Sequence, residues 1–85
     1  MKYSMIILAQ NIKEVFEELL FLEIVKSSDI ISLLFSSDHP KYGTEDFWEW
    51  EDDYIDSLGA GECKALKIKE ESGKIIFYVF GVASN

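Results

Sequence analysis

ECKALKIKEESGKIIFYVFGVA, residues 62–83, is the stretch on which the fold class turns. In its first half Cys63, Ala65, Leu66 and Ile68 alternate with Lys64, Lys67 and Lys69, with a slip of phase near Leu66. Period-two alternation of this kind marks a strand with one buried face. Ser72-Gly73 then supplies the residues of a tight turn. The run that follows, KIIFYVFGVA, is β-branched and aromatic without alternation. The pair reads as a β-hairpin, residues 62–71 with 74–83. Because its second strand is apolar on both faces, that strand is expected to be central, with cover on each side.

Upstream, Ile12, Val15, Phe16, Leu19, Leu22 and Val25 recur at helical spacing, while Lys13, Glu14, Glu17 and Glu18 hold the opposite face. The spacing predicts a helix over residues 11–26. Asn11, with Glu14 three residues on, has the form of a capping box. Residues 19–25, LLFLEIV, carry a single polar side chain, Glu23. A turn that is apolar nearly all round belongs in a core or at a subunit interface, so a homodimer is an open alternative. Residues 3–8 fit either a backward extension of this helix or a short strand. Ser27-Ser28-Asp29 interrupts the pattern and can cap a second, short helix over residues 29–35. Residues 36–43 read as a loop, because Pro40 pushes His39 out of helical geometry and Gly43 permits a turn. The expected fold is α+β: N-terminal helices packed on a small antiparallel sheet that contains the C-terminal hairpin.

The chain is short enough, at 85 residues, to form one domain, and 48% hydrophobic residues suffice for a core. Cys63 is the sole cysteine, so no internal disulfide can form, and a reducing cytoplasm is the compartment that fits. It reads as a small core hydrophobe rather than a nucleophile. The first ten residues lack the cleavage pattern of a signal peptide, and no run approaches the length of a membrane span.

Charge is distributed unevenly. Residues 44–56, TEDFWEWEDDYID, hold four aromatics and seven carboxylates with no cation. Residues 44–62 carry eight acids and no base, which equals the formal charge of −8 on the whole chain. All eight cations are lysine. Net negative charge without arginine disfavours direct contact with nucleic acid or an anionic membrane and favours a basic protein partner.

Two conformations compete for residues 44–58. As a strand, Trp48, Trp50 and Tyr54 share a face, which leaves Glu49, Glu51 and Asp53 badly placed. As a helix, Phe47, Trp50, Tyr54 and Leu58 form one stripe, Thr44 caps, and Glu45 and Asp46 sit in the first turn, where the dipole favours them. The helix is the expectation. On it Glu45, Glu49, Asp52, Asp53 and Asp56 fall into a ridge at i+3 and i+4 spacing, where like charges repel. Trp48 lies off the apolar stripe among these acids. An exposed indole in a field of one sign is the composition of a protein-binding hot spot. The expected partner-binding residues are Glu45, Asp46, Trp48, Glu49, Asp52, Asp53 and Asp56.

No phosphate-binding loop, dinucleotide fingerprint, zinc spacing or nucleophile elbow is present, and no cofactor is expected. His39 is a surface or switch residue. The contiguous acids Glu51-Asp52-Asp53 lack the alternating Asp/Asn with central Gly of a calcium loop, and a small metal-binding domain is an alternative of low rank.

Tyr42, Thr44, Glu45, Phe47, Trp50, Glu51 and Tyr54, followed by an apolar C-terminal hairpin and preceded by a helix, resemble a family of small acidic proteins from viruses of thermophilic archaea. One branch of that family consists of anti-CRISPR inhibitors of type I-D interference. The resemblance covers about a third of the chain and implies an α+β homodimer. It further implies an acidic surface that engages a basic region of a nucleic-acid-handling host protein, and an aromatic segment tending toward strand. Pro40-Lys41-Tyr42-Gly43 before an acidic aromatic helix is also similar, more weakly, to barstar-type ribonuclease inhibitors. The functional expectation is a non-enzymatic inhibitor of a basic nucleic-acid-binding protein. An antitoxin or immunity protein neutralising a basic toxin is the alternative.

Overall fold

The computed structural model describes residues 1–84. Strand β1 (Lys2–Ala9) leads into helix α1 (Ile12–Phe21), strand β2 (Ile30–Leu33), a 3-10 turn at Ser36–Asp38, helix α2 (Glu45–Asp56), and strands β3 (Glu62–Glu71) and β4 (Lys74–Val82). The strands form one sheet in the order β1-β4-β3-β2. β4 is antiparallel to both neighbours, and β2 joins β3 in parallel.

The C-terminal hairpin forms as its residues dictate. Glu71 pairs with Lys74 across Ser72-Gly73, whose φ values of 50° and 79° are both positive. Two positive φ angles in a two-residue loop give the turn whose twist matches paired strands. The slip of phase near Leu66 is a β-bulge: Lys67 pairs with Phe77 but Lys69 with Ile76, leaving Ile68 extra. Strand β4 lies inside the sheet and is buried on both faces. Ile75, Phe77 and Val79 point to one side, Tyr78 and Phe80 to the other.

Each face is covered by one helix. Val15 and Leu19 of α1 are fully buried against Ile7, Ala9, Cys63, Ala65 and the first β4 face. On the opposite side Phe47 and Ile55 of α2 are buried with Leu66, Tyr78 and Phe80, flanked by Trp50, Tyr54 and Leu58. Burying a side chain such as Phe47 contributes about 1.5–3 kcal/mol. Gly81 marks the closest approach within the sheet. A Cβ there would meet the Glu62 carbonyl oxygen at 2.5 Å and the Tyr3 hydroxyl at 3.0 Å.

Two expectations are corrected. Residues 29–35 are not a helix. Ile30–Leu33 is an edge strand, with Ile30 N–H donating to the Gly61 carbonyl and Leu34 N–H to the Ala65 carbonyl. The Asp29 carboxylate, instead of capping a helix, accepts from Lys26 N–H at 2.9 Å and closes the preceding turn. Seven residues containing two adjacent isoleucines gain more from a sheet ladder than from two turns of helix. The first helix stops at Phe21 rather than residue 26. Glu23 takes φ 61°, and its N–H donates to the Leu20 carbonyl while Ile24 N–H donates to that of Leu19. This is a Schellman ending with glutamate where glycine is usual. Within the apolar turn, Leu19 and Val25 enter the core but Phe21 is 81% exposed. Of the two conformations open for residues 3–8, the strand forms, as part of β1. The fold is therefore α+β, with a mixed sheet and a strand at its N-terminus. No helix among the described residues is long and apolar enough to cross a membrane.

Candidate protein-binding face

Residues 45–56 are helical, as spacing predicts, and not the strand that the resemblance to the viral family implies. Thr44 sets the start. Its hydroxyl donates to the Lys41 carbonyl at 2.7 Å and accepts from Phe47 N–H at 3.2 Å. Such a cap fixes the helical phase, and the phase decides which side chains face water. Phe47 and Ile55 point inward, with Trp50 and Tyr54 half-buried beside them.

Every residue expected to bind a partner is exposed on this helix: Glu45, Asp46, Trp48, Glu49, Asp52, Asp53 and Asp56. Glu45 and Asp46 occupy the first turn, where the helix dipole favours negative charge. Asp56, in the last turn, lies where the dipole disfavours it, and Lys2 pairs with it. That hydrogen bond raises the Lys2 ammonium pKa above its ordinary value. Among the described residues Lys2–Asp56 is the sole ion pair that reaches α2. The hairpin lysines turn elsewhere: Lys69 pairs with Glu71 at 2.6 Å, and Lys64 donates to the Ser32 hydroxyl at 2.7 Å. The ridge therefore keeps most of its charge.

Glu51 differs from its neighbours. It is half-buried and accepts a hydrogen bond from the Tyr78 hydroxyl. Burial, and then this bond, pushes the Tyr78 pKa upward, so the phenol stays protonated and tethers α2 to the sheet. Glu51 stands apart from the expected binding residues, and belongs to the acidic stretch by sequence position alone. Its i+4 spacing from Phe47 and to Ile55 puts it on the inward face, and Tyr78 supplies the partner there. Asp52 and Asp53 point outward while Glu51 points in, and among the described residues no three His, Cys, Asp or Glu side chains converge on a metal site.

Trp48 is 42% exposed. Its ring meets Tyr42 and Tyr78 edge-on, with centroids 5.5 and 5.8 Å away. These contacts hold the indole in one orientation, so a partner would order little on binding it. His39 is half-buried rather than a free surface residue. Its ring packs on Phe47 and Trp50 at 5.8 and 5.6 Å, and Nδ1 lies 2.6 Å from the Pro40 carbonyl oxygen.

Cys63 behaves as a core residue. Its side chain is buried, and burial pushes the thiol pKa up to about 11, which leaves it protonated and a poor nucleophile. The Tyr3 hydroxyl is enclosed beside it without a well-aligned hydrogen-bond partner, and burial, more than the adjacent thiol, raises its pKa.

Two residues of the face were missed by sequence reasoning. Ile6 and Leu8, 58% and 56% exposed, share a sheet face with Lys2 and Ser4 on the side where α2 lies. The alternation in KYSMIILA carried this information, but it required residues 3–8 to be recognised as strand.

No family model, no curated protein and no solved structure matches this chain.

Proposed function

We propose that the protein is a non-enzymatic inhibitor that docks α2 into the nucleic-acid site of a basic, nucleic-acid-handling protein in the cytoplasm of a host cell. The observation that carries this reading is one helix with six exposed carboxylates and a held indole, paired among the described residues with a single lysine. Carboxylates at i and i+4 stand about 6 Å apart, close to the separation of successive phosphates along one DNA strand when rise and twist are combined. A localised anionic field also accelerates encounter with a cationic channel. Inhibition of CRISPR interference is one form this activity takes. Neutralisation of a basic toxin is the second reading. The helical conformation of the acidic segment after Pro40-Lys41-Tyr42-Gly43 favours it, since that is the arrangement of the barstar-type resemblance.

Affinity for a panel of basic nucleases and DNA-binding proteins, measured from about 50 to about 500 mM salt, tests the proposal. A true target loses affinity steeply with salt and is lost by the triple variant Glu49→Lys, Asp52→Lys, Asp53→Lys. Binding that ignores both salt and charge reversal would refute the reading.

A further inference from the structure

We infer that the target contributes an extended segment that adds to the sheet at β1, antiparallel to it, with two apolar side chains followed by a cation on one face. This inference rests on the proposed function and specifies its partner.

The outer edge of β1 is open, since the strand ends the order β1-β4-β3-β2. Natural edge strands are guarded by charge, proline, a bulge or brevity. β1 has none of these beyond Lys2. It runs eight residues, pairs with β4 in unbroken register from Lys2–Val82 to Ala9–Ile75, and carries no charge after Lys2. Such an edge is a template for another strand.

The face beside that edge is equally incomplete. Ile6 pairs with Tyr78 and Leu8 with Ile76, yet both are more than half exposed, because α2 covers only the neighbouring part of the sheet. Residues Lys2, Ser4, Glu51 and Asp52 line one hollow between β1 and α2, in which the Lys2 ammonium is paired with Asp56 and no ion pair reaches Asp52 among the described residues. An antiparallel strand would therefore set apolar residues opposite Leu8 and Ile6 and its third same-face residue opposite Ser4, from which a long cationic side chain reaches across Ser4 toward the Asp52 carboxylate. Cross-strand apolar pairs and an answered carboxylate stabilise that register.

A second copy fits less well. Antiparallel pairing of two β1 strands about an axis normal to the sheet keeps both α2 helices on the same face. Two anionic ridges would then flank the shared strip, and the nearest cation, Lys2, is already engaged by Asp56. A basic segment supplies what a second copy lacks.

Two capped hexapeptides of equal charge provide the test: Val-Thr-Val-Thr-Arg-Thr and Ser-Thr-Ser-Thr-Arg-Thr. Amide NMR titration of the full chain should show the valine peptide binding about tenfold tighter, with shifts and slowed exchange along β1. The double variant Ile6→Ser, Leu8→Ser should lose that factor while keeping the wild-type amide spectrum away from β1, because both side chains are more than half exposed. Equal binding of both peptides that is lost in the charge-reversed triple variant would overturn strand addition while leaving the α2 ridge reading intact. Absence of binding by either peptide would overturn it as well. So would a self-associated form, seen by sedimentation, that the double variant dissolves.

Discussion

Replacing Glu49 with lysine should make the fold more stable, although it removes a residue of the proposed binding face. Glu49 sits four residues after Glu45, three before Asp52 and four before Asp53, and all four side chains are exposed. Each like-charge pair at this spacing costs about 0.2–0.5 kcal/mol, and an opposite pair gains a similar amount, so every pair swings by about 0.4–1 kcal/mol. Only Glu45 lies on the favourable, N-terminal side of the new lysine, and exposed pairs are screened. The net gain is then about 1 kcal/mol, or roughly 5 °C in Tm for a domain of this size. Urea melts at about 20 mM and about 500 mM salt measure it. The wild type should gain stability with salt while the variant's advantage shrinks, and Glu49→Gln should fall midway. A variant no more stable than the wild type, or an advantage indifferent to salt, would show that the ridge is not self-repelling. The reasoning that its charge is retained for a partner would then lose its basis.

Four further outcomes are expected. Phe47→Ala should cost about 3–5 kcal/mol in denaturant melts, because the ring is fully buried among His39, Tyr42, Trp50 and Tyr78. Phe21→Ala, at an 81% exposed position, should change stability by less than about 0.5 kcal/mol. Glu23→Gly should stabilise by about 1 kcal/mol, since φ 61° at the end of α1 strains glutamate and suits glycine; a loss in the same melts would refute the Schellman assignment. Stability should also fall in alkali. Cys63 shifts from an ordinary 9.0 to about 11 in the fold, so both states hold the proton below pH 9. Between 9 and 11 the unfolded chain releases it while the native state does not, and the native state loses ground. Cys63→Ala should flatten this part of the pH–stability curve by roughly 1–3 kcal/mol at its upper end, and identical slopes would exclude the thiol as a source.

The sequence by itself determined the parts of this protein that rest on neighbouring residues. Ser72-Gly73 can close only a tight hairpin turn, and the unbroken apolar run after it requires a strand covered on both faces. Thr44 and the Phe47–Trp50–Tyr54 stripe fix the phase of α2, and with it the exposure of Glu45, Glu49, Asp52, Asp53 and Asp56. What only the tertiary structure decided are features whose energy comes from distant partners. Ile30–Leu33 is a strand because β3 offers it a ladder, and nothing local outweighs a short helix there. Glu23 enters the left-handed region because Ile24 and Val25 must turn back to the sheet, with Val25 buried in the core. Glu51, already outside the ridge by helical phase, is fixed to the sheet because Tyr78, 27 residues away, donates to it. Ile6 and Leu8 stay uncovered because α2 crosses beside them, and no pattern in β1 records how far a helix on the same face extends. Hydrogen bonds and side-chain spacing within a few residues are written in the chain, whereas the extent of cover on each face depends on how the layers come to rest against one another.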